Sequence, residues 1–504
     1  MSDATPHRTY YEEIGFSANP FEGNTAEREP EIDEYAVRPP YLDPVEEASK
    51  NGGSYTLSGS RGSGKSATRI TVQKNIWKLP DPHPLPLTLS NFSLFRGKWG
   101  SQVLLDLYAK QVFFLTIEAC LIYSAANGEQ IEDRLKKLSS PDKKFFDWSL
   151  RNYYLNRDAG SRLASAQECC DAFSVSLGRR SKMWAEKKWD ALTGSLVQLT
   201  AGIAKYFEID LGETSVYKDA LSGPKNEDMP DPAYVLKKSV EFSRLMGFSG
   251  ILVQVDKVDE TDWTTNDAEA AASLVWPLYS NVQLHEIDGF SWSFFLWDRV
   301  RSLLTKENDM PVRWDKLPHD SIKWDQRHLV RLVERRLEHF SNQKVKHLLD
   351  LFDAAPEEED YIYAQFLTIS GFSPRTLITV LNSVITNHIQ SNEGRAIRLT
   401  MRSLESGLDN YCSRSILDDY SAATIGQLKR VKTTTFINRD VAKAFTISSP
   451  GALQKIEKWI NIGLVRRTGQ RFAGERTKPV DEFAVSEPRA RRIIERNLDL
   501  REAA

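Results

Sequence analysis

Cysteine is scarce in this sequence, with four residues among 504 (Cys120, Cys169, Cys170 and Cys412). None stands at zinc-ligand spacing and two are adjacent, which argues against a metal knuckle or a secreted disulfide framework and leaves reduced core or surface thiols. Histidine is sparse as well, and His285-Glu286 has no second His four residues on, so the zinc-protease signature is missing. Long apolar runs are lacking: the most apolar stretch, Val103 to Ala125, is broken by Asp106, Lys110 and Glu118. With no basic-then-apolar leader pattern either, no membrane span is expected and a cytoplasmic location is. No internal repeat is visible, and the twelve tryptophans show no repeat spacing, as core and interface residues would.

Net charge is also nearly absent, at −3, which by itself neither favours nor excludes a nucleic-acid partner. Its distribution is uneven. From Lys429 to Arg496 there are sixteen Lys/Arg against seven Asp/Glu, so the C-terminus is a separate electrostatic unit.

What is present is enough chain for about three domains. The first forty or so residues, rich in Pro and Glu, read as a stiff extended lead-in rather than a helix. A short strand, Ser54 to Ser58, runs into a glycine-rich turn, and helix resumes at Lys65. Pro82 to Pro86 reads as a loop and Leu87 to Phe92 as a strand. Val103 to about Leu221 is mostly helical, too long for an ordinary βα connection and hence an insertion. Gly250 to Val255 is apolar on both faces, as in a buried parallel strand, and Phe290 to Trp297 is the next strand. Ile322 to Asp325 opens a helix whose stripe is Leu329, Leu332, Val333, Leu337 and Phe340.

Gly59-Ser60-Arg61-Gly62-Ser63-Gly64-Lys65-Ser66 fits the strand, Gly-x4-Gly-Lys-Ser, helix order of a phosphate loop. Glycines let backbone N–H groups converge on α- and β-phosphates, and the helix that continues through Ala67 directs its positive end there. Lys65 would reach the β- and γ-phosphates of ATP, and Ser66 would offer its hydroxyl to Mg²⁺. Downstream, Ile251-Leu-Val-Gln-Val-Asp256 is an apolar strand delivering a carboxylate at its C-terminal end, where ligands gather in open α/β sheets. Asp256, arriving on a strand beside that of the phosphate loop, would hold the Mg²⁺ hydration shell opposite Ser66 and so help seat the metal. Asp259 or Glu260 would polarise a water for attack on the γ-phosphate.

This order of features resembles the AAA-like P-loop ATPases of the STAND, KAP and origin-recognition groups, especially bacterial members with an Asp-x-x-Asp-Glu strand end. The similarity runs over roughly Asn19 to Asn387, the helical insertion excepted. It implies that Asn19-Pro-Phe21 and Tyr35 to Tyr41 form a lead-in near the adenine. It also implies that Asp298 lies where such enzymes carry a polar sensor and that Arg375, in Gly371-Phe-Ser-Pro-Arg375, contacts the β/γ-phosphates from a helical lid. Arg299, Arg301 and Arg313 are candidate arginine fingers. Many relatives of this type have Glu directly after the metal Asp; Lys257 stands there, which moves the hydrolytic role to Asp259 or Glu260 and leaves slow or conditional turnover open.

At the C-terminus, Asn438 to Ala444 reads as a short helix and Gly451 to Ile462 as a second, with Leu453, Ile456 and Ile460 inward and Gln454, Lys455 and Lys458 outward. Strands at Leu464 to Arg467 and Phe483 to Val485 flank a polar loop from Thr468 to Pro479, the pattern of a winged helix. Lys455, Lys458, Arg466, Arg467 and Arg471, with Arg476 and Lys478, would follow the backbone of duplex DNA, or else form a solvated or docking face.

The expected fold is α/β: a parallel-sheet P-loop NTPase core with helical lid and helical insertion, plus a C-terminal winged-helix domain. Its domains are a lead-in (1–45), a core (46–310) with the insertion at about 126–228, a lid (311–425) and a basic winged helix (426–504). The expected function is a Mg²⁺-dependent ATPase acting as a conformational switch on a macromolecular partner or homo-oligomer, with bacterial stress or phage defence implied by resemblance. The alternatives are a DNA-binding loader or regulator, a nucleotide-binding scaffold without turnover, and phosphotransfer to a small molecule.

Overall fold

The computed structural model describes residues 9–23, 29, 32–97, 100–126, 135–158, 160–162, 164–166, 169, 231–265, 267–304, 312–395, 397–472 and 479–500. Most of the expected insertion, and Arg476 and Lys478 of the basic cluster, lie outside the described residues. The chain folds as two compact units, Thr25–Lys323 on one hand and Met1–Asn24 with Trp324–Ala504 on the other.

The first unit is built on a five-stranded sheet: β1 (Tyr55–Gly59), β2 (Pro84–Leu89), β3 (Gly250–Val255), β4 (Phe290–Trp297) and β5 (His319–Ser321). All pairings are parallel, in the order β2-β3-β4-β1-β5. β1, β3 and β4 are buried at every position, which is why they read as unbroken apolar runs. Polar side chains on them find partners inside, as where Thr56 Oγ1 lies 2.8 Å from the Tyr279 hydroxyl and Ser293 Oγ lies 3.3 Å from Ser49 Oγ. Helix α1 (Lys65–Trp77) follows β1 directly; α2 (Ser101–Ala126), α3 (Ser140–Tyr153) and α4 (Pro232–Leu245) stand between β2 and β3, and α5 (Ala268–Ser280) precedes β4. Aromatic contacts join these helices, Phe113 with Tyr153 at 4.4 Å and Phe146 with Phe242 at 5.2 Å between ring centres. A short α6 (Asp298–Leu303) leaves the end of β4.

The structure departs from the sequence reading in several places. Pro84 and Pro86 are in β2 rather than a loop, and that strand ends at Leu89. β2 is an edge strand, where proline's missing donor costs no ladder bond on the open side. The strand bearing Asp256 is not beside the phosphate-loop strand, because β4 lies between them. The lead-in is not wholly extended: Tyr10–Glu13, Ile32–Tyr35 and Leu42–Lys50 are helical. The sheet continues past residue 310, since β5 pairs with β1.

In the second unit, α7 (Gln326–Phe340), α8 (Glu359–Ser370), α9 (Pro374–Ser391) and α10 (Met401–Asp419) share one apolar core. Asp325 caps α7 by accepting from the His328 N–H, and Leu329, Val333 and Leu337 are its fully buried stripe. Residues 9–23 join this core rather than forming a free lead-in. Phe16 and Phe21 are buried there, and Arg336 donates to the carbonyls of Pro20 (2.7 Å) and Gly23 (3.2 Å).

The chain then runs through α11 (Ala422–Lys429), β6 (Thr435–Ile437), α12 (Asn438–Phe445), α13 (Ser449–Asn461), β7 (Val465–Phe472) and β8 (Pro479–Val485) to α14 (Pro488–Glu495). With an antiparallel sheet ordered β6-β8-β7, the segment from α11 to β8 is a winged helix. Ala452, Ile456 and Trp459 are the inward face of α13, whereas Leu453, expected inward, is 42% exposed on the helix's outer side. β7 extends through Phe472, so the expected polar loop begins as strand, and its residues 473–478 lie outside the described residues.

Candidate nucleotide site and the basic C-terminal surface

β1 and α1 are joined by five residues whose geometry depends on glycine. A Cβ on Gly59 would lie 2.5 Å from Ser63 Oγ and 3.1 Å from Ile322 Cβ, and Gly64 adopts φ +94°. Gly64 is the N-cap of α1 and offers no side chain to its first turn, whose N–H groups at Lys65, Ser66 and Ala67 have no partner within the helix. The helix therefore presents uncapped donors and its positive end to the loop. Gly62 shares the left-handed conformation at φ +74°, and Ser63 N–H closes the turn on the Ser60 carbonyl at 3.2 Å.

Lys65 lies over this loop, its Nζ donating to the carbonyls of Gly59 and Ser60 at 3.0 Å each. Burial lowers its pKa, while Asp259, Asp256, Asp298 and Glu260 act in the opposite direction. Those four carboxylates are the ones that follow β3 and β4. The C-terminal edge of the sheet thus brings the β1–α1 loop, Asp256, Asp259 and Glu260 together at one end of this unit.

The carboxylates have unequal environments. Asp256 is buried: its Oδ2 accepts from Arg69 Nε at 2.9 Å, its Oδ1 accepts from the Lys257 N–H at 3.0 Å, and its own N–H donates to the Leu89 carbonyl. Lys257 turns the chain here at φ +61°. Asp259 is also buried, and its Oδ2 accepts from Arg61 Nε (3.2 Å) and Nη2 (3.1 Å), so the phosphate loop is pinned to the β3 turn. Glu260 is exposed on that same turn.

Two participants went unread in the sequence. Arg69, one turn beyond Lys65, is buried on α1 with Ile70, Val72 and Gln73, and nothing in the local sequence marks it. Trp297 ends β4 opposite Gly59 and lies beneath two guanidinium groups, Arg61 at 4.5 Å and Arg299 at 5.2 Å from the ring. The sensor candidate Asp298 is exposed and accepts from the Arg299 N–H at 2.8 Å. Of the other finger candidates, Arg301 stacks on Trp314 and Arg313 is paired with Asp315 at 2.7 Å. Arg375 is exposed at the start of α9 in the second unit, and Phe21 is enclosed in that unit's core.

The residues at the loop fit a triphosphate and a divalent ion. Glycine spacing leaves room for phosphate, donors are oxygen-seeking N–H groups and an ammonium, and hard oxygen atoms would come from the Ser66 hydroxyl and, toward the ion's water, from Asp256.

The basic surface is less open than its charge count. Arg467 is paired with Asp481, and Arg471 with Asp440 (3.4 Å) and Glu482 (3.3 Å). Lys455 donates to Gln427 at 2.9 Å and lies over the Phe445 and Trp459 rings, so it does not point outward as expected. Lys458 and Arg466 are exposed. Arg489, Arg492 and Arg496 bind α10 through Asp419, Glu405 and Asp409, which turns part of the C-terminal charge excess into internal ion pairs.

Comparison with protein families gives no matching profile, and no curated protein matches in sequence. Among solved structures, the chain is similar to the Aeropyrum pernix ORC1 protein in complex with DNA, at TM-score 0.37 and 10% identity over 94% of this chain and 97% of that one. It is similar too to the Aeropyrum pernix ORC2 protein in ADPNP–ADP complexes, at TM-score 0.39 and 10% identity over 92% and 96%. The fold class rests on the strand order, the loop between β1 and α1 and the winged helix, not on these overlaps. No described helix is long and apolar enough to cross a membrane.

Proposed function

We propose that the unit Thr25–Lys323 binds ATP with Mg²⁺ and hydrolyses it, and that the winged helix contacts duplex DNA, making the chain a nucleotide-dependent DNA-associated ATPase. The observation that carries the first part is the meeting of the Gly59–Ser66 loop with the Asp256–Glu260 turn around Lys65. In this reading, the Lys65 ammonium leaves the Gly59 and Ser60 carbonyls for the more strongly charged phosphate oxygens. The first-turn N–H groups of α1 hold the phosphates in register, and Ser66 and Asp256 would hold the metal. When bound, Mg²⁺ neutralises charge on the transferring phosphoryl group. Asp259, already held by Arg61, orders the loop, whereas exposed Glu260 is free of burial and suits polarisation of water.

The DNA part is supported by the winged helix and by Lys458 and Arg466 exposed on α13 and β7. It takes precedence over a stress or phage-defence switch, for which the described residues provide no support. ATP turnover with and without duplex DNA, for the wild type and Lys65→Ala, tests both parts. Turnover that is absent from the wild type, or unchanged in the variant, overturns the ATPase reading; turnover and binding indifferent to DNA overturn the second part.

A further inference from the structure

The acid expected to seat the metal is already matched to a cation of the protein. Arg69 and Asp256 are both buried, with side-chain exposures of 7% and 2%, and meet at 2.9 Å. The guanidinium is itself fixed: Nη1 donates to Thr88 Oγ1 at 3.2 Å and to Gln73 Oε1 at 3.5 Å, and the Arg69 carbonyl accepts from Gln254 Nε2 at 3.2 Å. Arg69 therefore ties three elements together, α1, β2 and β3, at the point where the acid emerges. Asp256 has one oxygen on Arg69 and the other on the Lys257 N–H, so its rotamer is set before any ligand arrives.

A carboxylate so paired has little net charge to attract a divalent ion directly, yet each oxygen keeps a lone pair able to accept from water. We propose that Arg69 is a positioning residue that holds Asp256 as an acceptor for metal-bound water and, by neutralising it, weakens the site's intrinsic affinity for Mg²⁺. Binding of Mg²⁺ is then governed mainly by the nucleotide's phosphates, and the protein does not take up the ion alone. This rests on the reading of Gly59–Ser66 as an ATP site.

The test titrates MgCl₂ into the full chain with a fluorescent ribose-labelled ATP analogue, reading anisotropy, and separately measures the thermal unfolding shift caused by MgCl₂ alone. Arg69→Met should lower the Mg²⁺ midpoint by about tenfold, the size of outer-shell effects on metal affinity but in the opposite direction, because the partner lost is a cation that neutralises the acid. MgCl₂ alone should stabilise that variant and leave the wild type unmoved. Arg69→Lys, which keeps charge but loses the fork, should show a smaller shift in the same direction and carries the test if Arg69→Met does not fold. Adding Asp256→Asn should cancel both effects. Midpoints that coincide in wild type and variants, or a shift that survives Asp256→Asn, overturn the proposal while leaving the ATP site standing. Failure of the wild type to bind the analogue at saturating MgCl₂ instead removes the ATP reading, and this inference with it.

Discussion

The acidic edge of the parallel sheet and the basic end of the chain both concentrate charge, but they handle it differently. At the sheet edge, two arginines from the loop and helix after β1 meet two carboxylates from the turn after β3, across the intervening strand β4. These contacts join segments far apart in sequence; both carboxylates are buried, Arg69 with them, while Arg61 reaches in from the half-exposed loop. In the C-terminal segment, arginines of β7 pair with acids of β8 and α12, and those of α14 with acids of α10. There the count of positive residues overstates the free surface charge. Charge becomes informative about function only once its partners are known: buried pairs at strand ends mark a preorganised site, and exposed pairs on a small sheet contribute little.

Several measurements would sharpen or break this contrast. The largest effect is expected at the turn after β3: Glu260→Gln should reduce ATP turnover by at least about a hundredfold with nucleotide affinity retained, as for loss of a group that polarises water. Equal turnover in Glu260→Gln and the wild type would return that role to Asp259. Next, Asp256→Ala strands the buried Arg69 guanidinium and should cost about 3–5 kcal/mol in denaturant unfolding. A loss below about 1 kcal/mol would mean the pair is screened as a surface pair is.

At the basic end the expected changes are smaller. Lys458→Glu with Arg466→Glu should weaken duplex binding by about tenfold and reduce the salt slope by about two, one for each lost phosphate contact. Arg467→Glu with Arg471→Glu should do less, because those guanidinium groups are engaged by the domain's own acids. If the two pairs of substitutions behave alike, internal pairing does not govern access. Smallest at neutral pH, where it vanishes, is the effect of Cys412, whose thiol burial pushes up from 9.0 to about 12. A raised acid favours the protonated fold, so its contribution is intact below pH 9 and is lost progressively as pH rises toward 12. Cys412→Ala should flatten the alkaline slope of stability; an unchanged slope assigns it to other groups.

Much of the parallel-sheet core was legible because its signals are local. Gly59 to Ser66 carries its own backbone requirement, and unbroken apolar runs announced β3 and β4. The pairing of strands was not, since β4 inserts between β1 and β3 through contacts that no short window contains. The same limit concealed Arg69, whose partner lies 187 residues away. On α13 the stripe was half read: Ile456 is inward, but Trp459 and not Leu453 completes the face. Edge position, which the sequence does not state, decided that prolines could enter β2.

The most direct measurement is calorimetric titration of the full-length protein with ATP in MgCl₂, alongside Lys65→Ala. The account predicts about one site per chain in the wild type and a loss of binding in the variant that leaves its thermal unfolding cooperative. No saturable heat in the wild type, or equal binding by both proteins, would contradict it.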